Sequence, residues 1–158
     1  MKIAIGGDHG GFDLKEKIKN ILKSKKHEVI DLGAHEFTPS DDYPDFCYPV
    51  AKMVANNEVD KGIISCMSGI GAVITANKVK GARAGLCHTE YLARQGVEHD
   101  DMNVLCIGSK IVDHNIIENL IEEFLNAKFL PDEKYSSCLL YTSPSPRDRT
   151  RSRMPSSA

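Results

Sequence analysis

The chain has 158 residues, enough for one domain with a proper core and too few for two large ones. Hydrophobic residues are 41% and charged residues 27%, an ordinary globular balance, and no apolar run approaches the roughly 20 residues of a membrane span. A formal net charge of −2 gives no electrostatic reason to expect nucleic acid or a membrane as partner.

Five cysteines without a CxxC pair look like thiols of a reducing compartment, so a cytoplasmic protein is expected. The opening "MKIAIGGDHGG" has too short an apolar run for a signal peptide.

In chain order, "KIAIGG" is a short apolar run ending in glycines and reads as a strand. "FDLKEKIKNILKSKK" puts Leu14, Ile18, Ile21 and Leu22 on one helical face, with lysines opposite. "HEVIDLG" is a second strand, and "TPSDDYPDF", with two prolines, reads as a loop. "YPVAKMVANNEVDKG" follows as a helix with Val50, Ala51, Val54 and Ala55 inward. "GIISC" is a third, buried strand, and "GIGAVITANKV" opens the next helix. "ARAGLC" and "NVLCIG" are the fourth and fifth strands, with the short helix "TEYLARQGVEH" between them. His99 to Asp101 are expected on a loop before the fifth strand. "DHNIIENLIEEFLNAKF" is the strongest helix, with Ile116, Ile117, Leu120, Ile121 and Phe124 on one face and Asp113 as N-cap.

Residues 138–158, "CLLYTSPSPRDRTRSRMPSSA", break the pattern, with four arginines and three of the seven prolines. Back-translated, "CLLYTSPSPRD" resembles the transposase-type adapter of short-read DNA sequencing. "SRMPSSA" resembles the flow-cell end of that adapter, and "RTR" fills the index position between them. The segment is expected to be a non-native, disordered tail, with residues 1–137 as the single domain and the true C-terminal helix truncated. Without the tail's four arginines and one aspartate the net charge falls to about −5.

Strands alternating with helices predict an α/β fold, a parallel sheet with helices on both faces and its ligand beyond the carboxyl ends of the strands. Three stretches there could carry chemistry. "GGDHGG" sets a carboxylate and a group titrating near neutrality among glycines; its plainer reading is a capped turn. In "CMSGIG", Cys66 stands where a helix begins, which would lower its pKa, and the following amides could hold an oxyanion. Cys66 reads equally as a small buried hydrophobe. In "EHDDMN", His99 is followed by two aspartates, either an acid/base pair or a solvated loop. No spacing suggests a metal site. Cys47, Cys87 and Cys106 look like packing residues, and His27, His35 and His114 like surface.

Together, "GGDHGGFDLK", "DYP", "GIISCMSGIGAVITANKVKGARAGLC" and "HDDMNVLCIGSK" resemble the type B ribose-5-phosphate isomerases, a family that also holds galactose-6-phosphate and allose-6-phosphate isomerase subunits. The resemblance implies a three-layer α/β/α Rossmann-like sandwich with a five-stranded parallel sheet, as a homodimer or dimer of dimers. It implies a metal-free, cofactor-free aldose–ketose isomerase acting on a sugar phosphate through a cis-enediolate. Residue by residue, Cys66 matches the base between C2 and C1, and Ser68 the hydroxyl that helps move a hydroxyl proton. Gly69, Ile70 and Gly71 match the hole for the enediolate oxygen; no glycine equivalent stands at position 67. His99, with Asp8 expected nearby, matches the ring-opening acid/base, and His9 and Lys110 the phosphate side. Asp100 and Lys110 stand where asparagine and arginine are usual. "FLPDEKYSS" lacks the usual "GGRH"-like start of a phosphate-gripping helix, so the chain as written is expected to bind phosphate weakly. The competing readings are a galactose-6-phosphate or allose-6-phosphate isomerase of the same family and, in a different class, a non-catalytic sugar-phosphate binding module on the same fold.

Overall fold

The computed structural model describes residues 1–142. Its strands are β1 (Lys2–Gly7), β2 (Glu28–Asp31), β3 (Lys61–Cys66), β4 (Ala84–Leu86) and β5 (Val104–Gly108). All pair in parallel, in the order β2-β1-β3-β5-β4. The helices are α1 (Phe12–Ser24), α2 (Pro44–Ala55), α3 (Ile70–Ala76), α4 (Glu90–Asp100), α5 (Ile117–Asn126) and α6 (Glu133–Thr142).

The two-residue period of the strands builds two cores. Ile3, Ile5, Ile63, Leu105 and Ile107 face α1, α4 and α5, where Leu14, Ile18, Val97, Leu120 and Phe124 are buried. Ala4, Ile64, Val104 and Cys106 face α2 and α3, against Val50, Ala51, Val54, Ala72 and Ala76. This is the three-layer sandwich expected from the alternation of elements.

Three local expectations give way. Lys15 is not on a solvated face: it is 1% exposed, and its Nζ donates to both oxygens of Asp31 (3.0 and 3.1 Å) and to the Ala34 carbonyl (2.6 Å). Its long stem passes the edge of the α1 interface, and the charge is matched at the end of β2. Asp113 does not cap α5. Its carboxylate accepts from the Asn115 amide at 2.9 Å, so it closes the preceding turn, and the helix begins at Ile117. His99 and Asp100 are not on a loop but in the last turn of α4. Thr89 starts that helix by accepting from the Leu92 amide (3.3 Å), and Asp101 ends it in the left-handed region.

Helix α6 runs across residue 138, where the non-native tail was expected to begin. The remainder of that tail, 143–158, lies outside the described residues.

Lys15 is a test of buried pairing. Burial alone would raise the pKa of Asp31, but hydrogen bonds from Lys19, the Gly33 amide and Lys15 outweigh it and hold it at about 2, below its ordinary 3.8. An acid whose pKa is depressed in the fold stabilises it above the unfolded value, and that stability is lost as pH falls. Acid unfolding is therefore expected to consume this contribution between about pH 4 and about pH 2. Lys15→Met keeps the stem and strands the carboxylate and carbonyl; we expect a loss of about 3 kcal/mol in urea denaturation and a weakened acid limb. Unchanged stability would show that Lys19 alone satisfies Asp31.

Candidate active site

The strand order reverses direction between β1 and β3, since β2 lies on one side of β1 and all later strands on the other. Loops leaving the carboxyl ends of these two strands must part, and the crevice between them is where such sheets take ligands. Asp8 follows β1 and Cys66 ends β3, so both stand at this crevice.

They touch. The Cys66 thiol donates to Asp8 Oδ2 at 3.1 Å, and Asp8 Oδ1 accepts the Gly11 amide at 3.0 Å. Both residues are buried. Burial, the hydrogen bond to Asp8 and the charge of Asp8 push the thiol up to about 11, against the lowering effect of the Gly69 and Met67 amides. The sequence expectation that a helix start would lower this pKa is thus reversed: the amides are present, but desolvation and a neighbouring carboxylate win. Both effects favour the neutral thiol over the thiolate.

The turn after Cys66 has little freedom. Gly69 is the N-cap of α3 at φ 80°, and a Cβ there would run into Leu86 and lie 3.1 Å from the Gly108 nitrogen. Ser68 Oγ accepts the Ile70 amide at 3.4 Å. The Ser109 amide donates to the Cys66 carbonyl (2.8 Å), and the Lys110 amide to the Met67 carbonyl (3.1 Å). The first loop is tied in as well: Ser65 Oγ donates to the Gly11 carbonyl at 2.8 Å, and Ser109 Oγ to that of Gly10. Three strand ends thereby hold Asp8, His9, Cys66, Ser68, Gly69, Ile70, Gly71 and Lys110 in one neighbourhood. Among the described residues, no three His, Cys, Asp or Glu side chains are grouped to hold a metal.

The family profile described as Ribose/Galactose Isomerase matches residues 3–137. The chain belongs to this family. It is 41% identical over 128 residues to the ribose-5-phosphate isomerase B of Escherichia coli, covering 81% of this chain and 85% of that one. It is 43% identical over 134 residues to the galactose-6-phosphate isomerase subunit LacB of Clostridium acetobutylicum, covering 85% and 77%. The solved ribose-5-phosphate isomerase B of Mycoplasma genitalium with bound ribulose-5-phosphate superposes with a TM-score of 0.82 at 38% identity, covering 89% of this chain and 95% of that one.

His99 and Asp100 are the expected site residues that the single chain does not bring to the crevice. Helix α4 runs back from the carboxyl end of β4 to the amino end of β5, so its last turn stands roughly 15 Å along the helix from the crevice side. There His99 Nδ1 meets the Gln95 amide nitrogen at 2.9 Å, and its ring stacks on Tyr135 of α6 (4.1 Å, 14°). Asp8, expected beside His99, is beside Cys66. A cavity of about 490 Å³ opens next to Asp100, lined also by Arg83, Gly85, Gly96, Met102 and Leu139.

Three residues that contact the expected site residues were not given a role from the sequence. Asp41 binds His9 through both its amide and its ring. Tyr43 lies over α3, where a Cβ on Gly71 would come within 2.8 Å of its ring. Tyr135 covers His99. The "DYP" stretch pointed to Tyr43 without a role. Nothing in the spacing marks Asp41 or Tyr135, because loop closure and the return of α6 place them.

Proposed function

We propose that this isomerase interconverts ribose 5-phosphate and ribulose 5-phosphate through a cis-enediolate. The observation that carries the reading is the Cys66–Asp8 pair at the sheet's switch point, with the Gly69–Gly71 turn beside it, in a member of this family. Cys66 takes the proton from C2 and returns it to C1. The amides of Gly69, Ile70 and Gly71 stabilise the enediolate oxygen, and the Ser68 hydroxyl carries the proton between O1 and O2. His9 and Lys110 bind the phosphate. The profile match over residues 3–137 supports taking 1–137 as the isomerase domain. The thiols Cys47, Cys66, Cys87 and Cys106 fit a reducing cytoplasm.

The working unit in this reading is a homodimer. His99 opens the sugar ring, yet it lies at the opposite end of the sheet from Cys66, so the two meet only across a two-fold interface. Exposed Met67, Ile70 and Ile74 (48%, 57% and 54%) offer an apolar surface beside the crevice for such a contact.

Turnover of ribose 5-phosphate, followed by ribulose absorbance beside galactose 6-phosphate and allose 6-phosphate, tests the substrate. Mixing tests the composite site. Cys66→Ala and His99→Ala proteins, each inactive alone, are expected to recover about a quarter of wild-type activity after co-refolding in equal amounts, because half the dimers then carry one intact site. No recovery would confine the site to one chain; turnover of the hexose phosphate alone would replace the substrate.

A further inference from the structure

Asp41, in the loop between β2 and α2, grips His9 twice. Its Oδ1 accepts the His9 amide at 3.0 Å and lies 2.5 Å from the ring Nδ1. The Asp41 side chain is 9% exposed, and its Oδ2 is buried with no hydrogen-bond partner. Phe37, from the same loop, meets the His9 ring edge-on at 6.5 Å and is braced by Phe12 at 6.3 Å. Backbone, ring nitrogen and apolar neighbour together fix the imidazole in one orientation.

A carboxylate only accepts, so Nδ1 must be the donor in this pair. Nε2, across the ring from Asp41, is then left to meet a ligand. If Nε2 is unprotonated it is an acceptor and repels an anion; protonated, it is a charged donor. The orphaned Oδ2 weighs the balance: a buried carboxylate whose donors come from His9 alone is best matched by a cationic ring.

We propose that Asp41 is a positioning residue that holds His9 as an imidazolium, its Nε2–H turned to the substrate's phosphate. The inference rests on the reading of His9 as a phosphate-side residue. The charged groups facing His9 are Asp41 from the loop and Asp8 from its own turn; Phe37 and Phe12 add none. Both carboxylates favour the cation. The ring's pKa is raised from 6.5, first by the Asp41 hydrogen bond, against desolvation, and then by the charges of Asp41 and Asp8.

The test uses the full chain with ¹⁵N-labelled histidine, as wild type, Asp41→Asn and Asp41→Glu. Ring nitrogens of His9 are followed by NMR through a pH titration and through additions of inorganic phosphate; kcat and KM for ribose 5-phosphate are measured alongside. In the wild type, His9 is expected to titrate above 6.5 and its Nε2 to respond to phosphate. In Asp41→Asn it titrates lower, about tenfold more phosphate is needed near neutral pH, and KM rises by that factor while kcat changes less. Asp41→Glu restores most of both. Unchanged His9 titration or an unchanged phosphate response in Asp41→Asn overturns the proposal. If that variant does not fold, a wild-type His9 that titrates at or below 6.5, or ignores phosphate, overturns it equally. Failure of ribose 5-phosphate as substrate would sink the functional reading alone, since the ring titration and the phosphate response are read without turnover.

Discussion

Cys66→Ala is expected to lower kcat for aldose–ketose isomerisation by about 10³-fold or more while leaving the protein folded. In the proposed mechanism the thiol is the group at the switch point that takes the carbon-bound proton, with Asp8 as its partner at 3.1 Å. Truncation removes one sulfur from a side chain that is 7% exposed and belongs to the core beneath α2 and α3. Loss of that atom costs on the order of 1 kcal/mol of stability, too little to unfold a typical domain. Cys66→Ser separates chemistry from packing. It keeps the shape and the hydrogen bond to Asp8, but an alcohol is a far weaker acid than a thiol, so its conjugate base is hardly populated. Serine should therefore be nearly as inactive as alanine. Ribulose 5-phosphate formation measures both. An alanine variant that retains substantial turnover would remove Cys66 from the reaction and leave Asp8 as the candidate base.

Much of this arrangement is legible in the sequence because it is local. "KIAIGG" and "GIISC" are strands whose ends carry their chemistry with them, and the βα alternation fixes which end of the sheet those residues share. Lys15 was not legible. Its place in α1 reads as the solvated face with the other lysines, and its burial depends on Asp31 and Ala34, which arrive only when β2 pairs with β1. The same holds for Asp41, brought to His9 by a loop without periodicity. His99 is the instructive case. Sequence resemblance assigns it to the site, yet local structure puts it in the last turn of α4, at the opposite end of the sheet from Cys66. Both statements hold if the site is made from two copies, as proposed above, an arrangement that no pattern within one chain expresses.

The pKa of Cys66 is the other point at which local pattern and tertiary structure part, and it carries the second large effect. A thiol held up to about 11 is neutral at physiological pH, and its basic form grows tenfold with each pH unit below that value. Alkylation of Cys66 by iodoacetamide, located by mass spectrometry because Cys138 is exposed, should climb with that slope from neutral pH and still be rising at about pH 10. The same direction bears on stability. The unfolded thiol ionises near 9.0 and the folded one near 11, so this contribution is full below about 9 and lost as pH rises through about 11. Asp8→Asn removes the anion but not the burial. The alkylation curve should move to lower pH by about a unit or more, giving roughly tenfold faster labelling near neutrality. Isomerisation should move the other way, because a carboxylate that accepts the thiol proton when substrate binds is gone. Faster labelling with slower turnover in one variant would identify Asp8 as the group that keeps Cys66 protonated at rest and relieves it of that proton in the reaction. A labelling rate already flat at neutral pH would mean the helix-start amides dominate after all, and Cys66 would then be a standing thiolate.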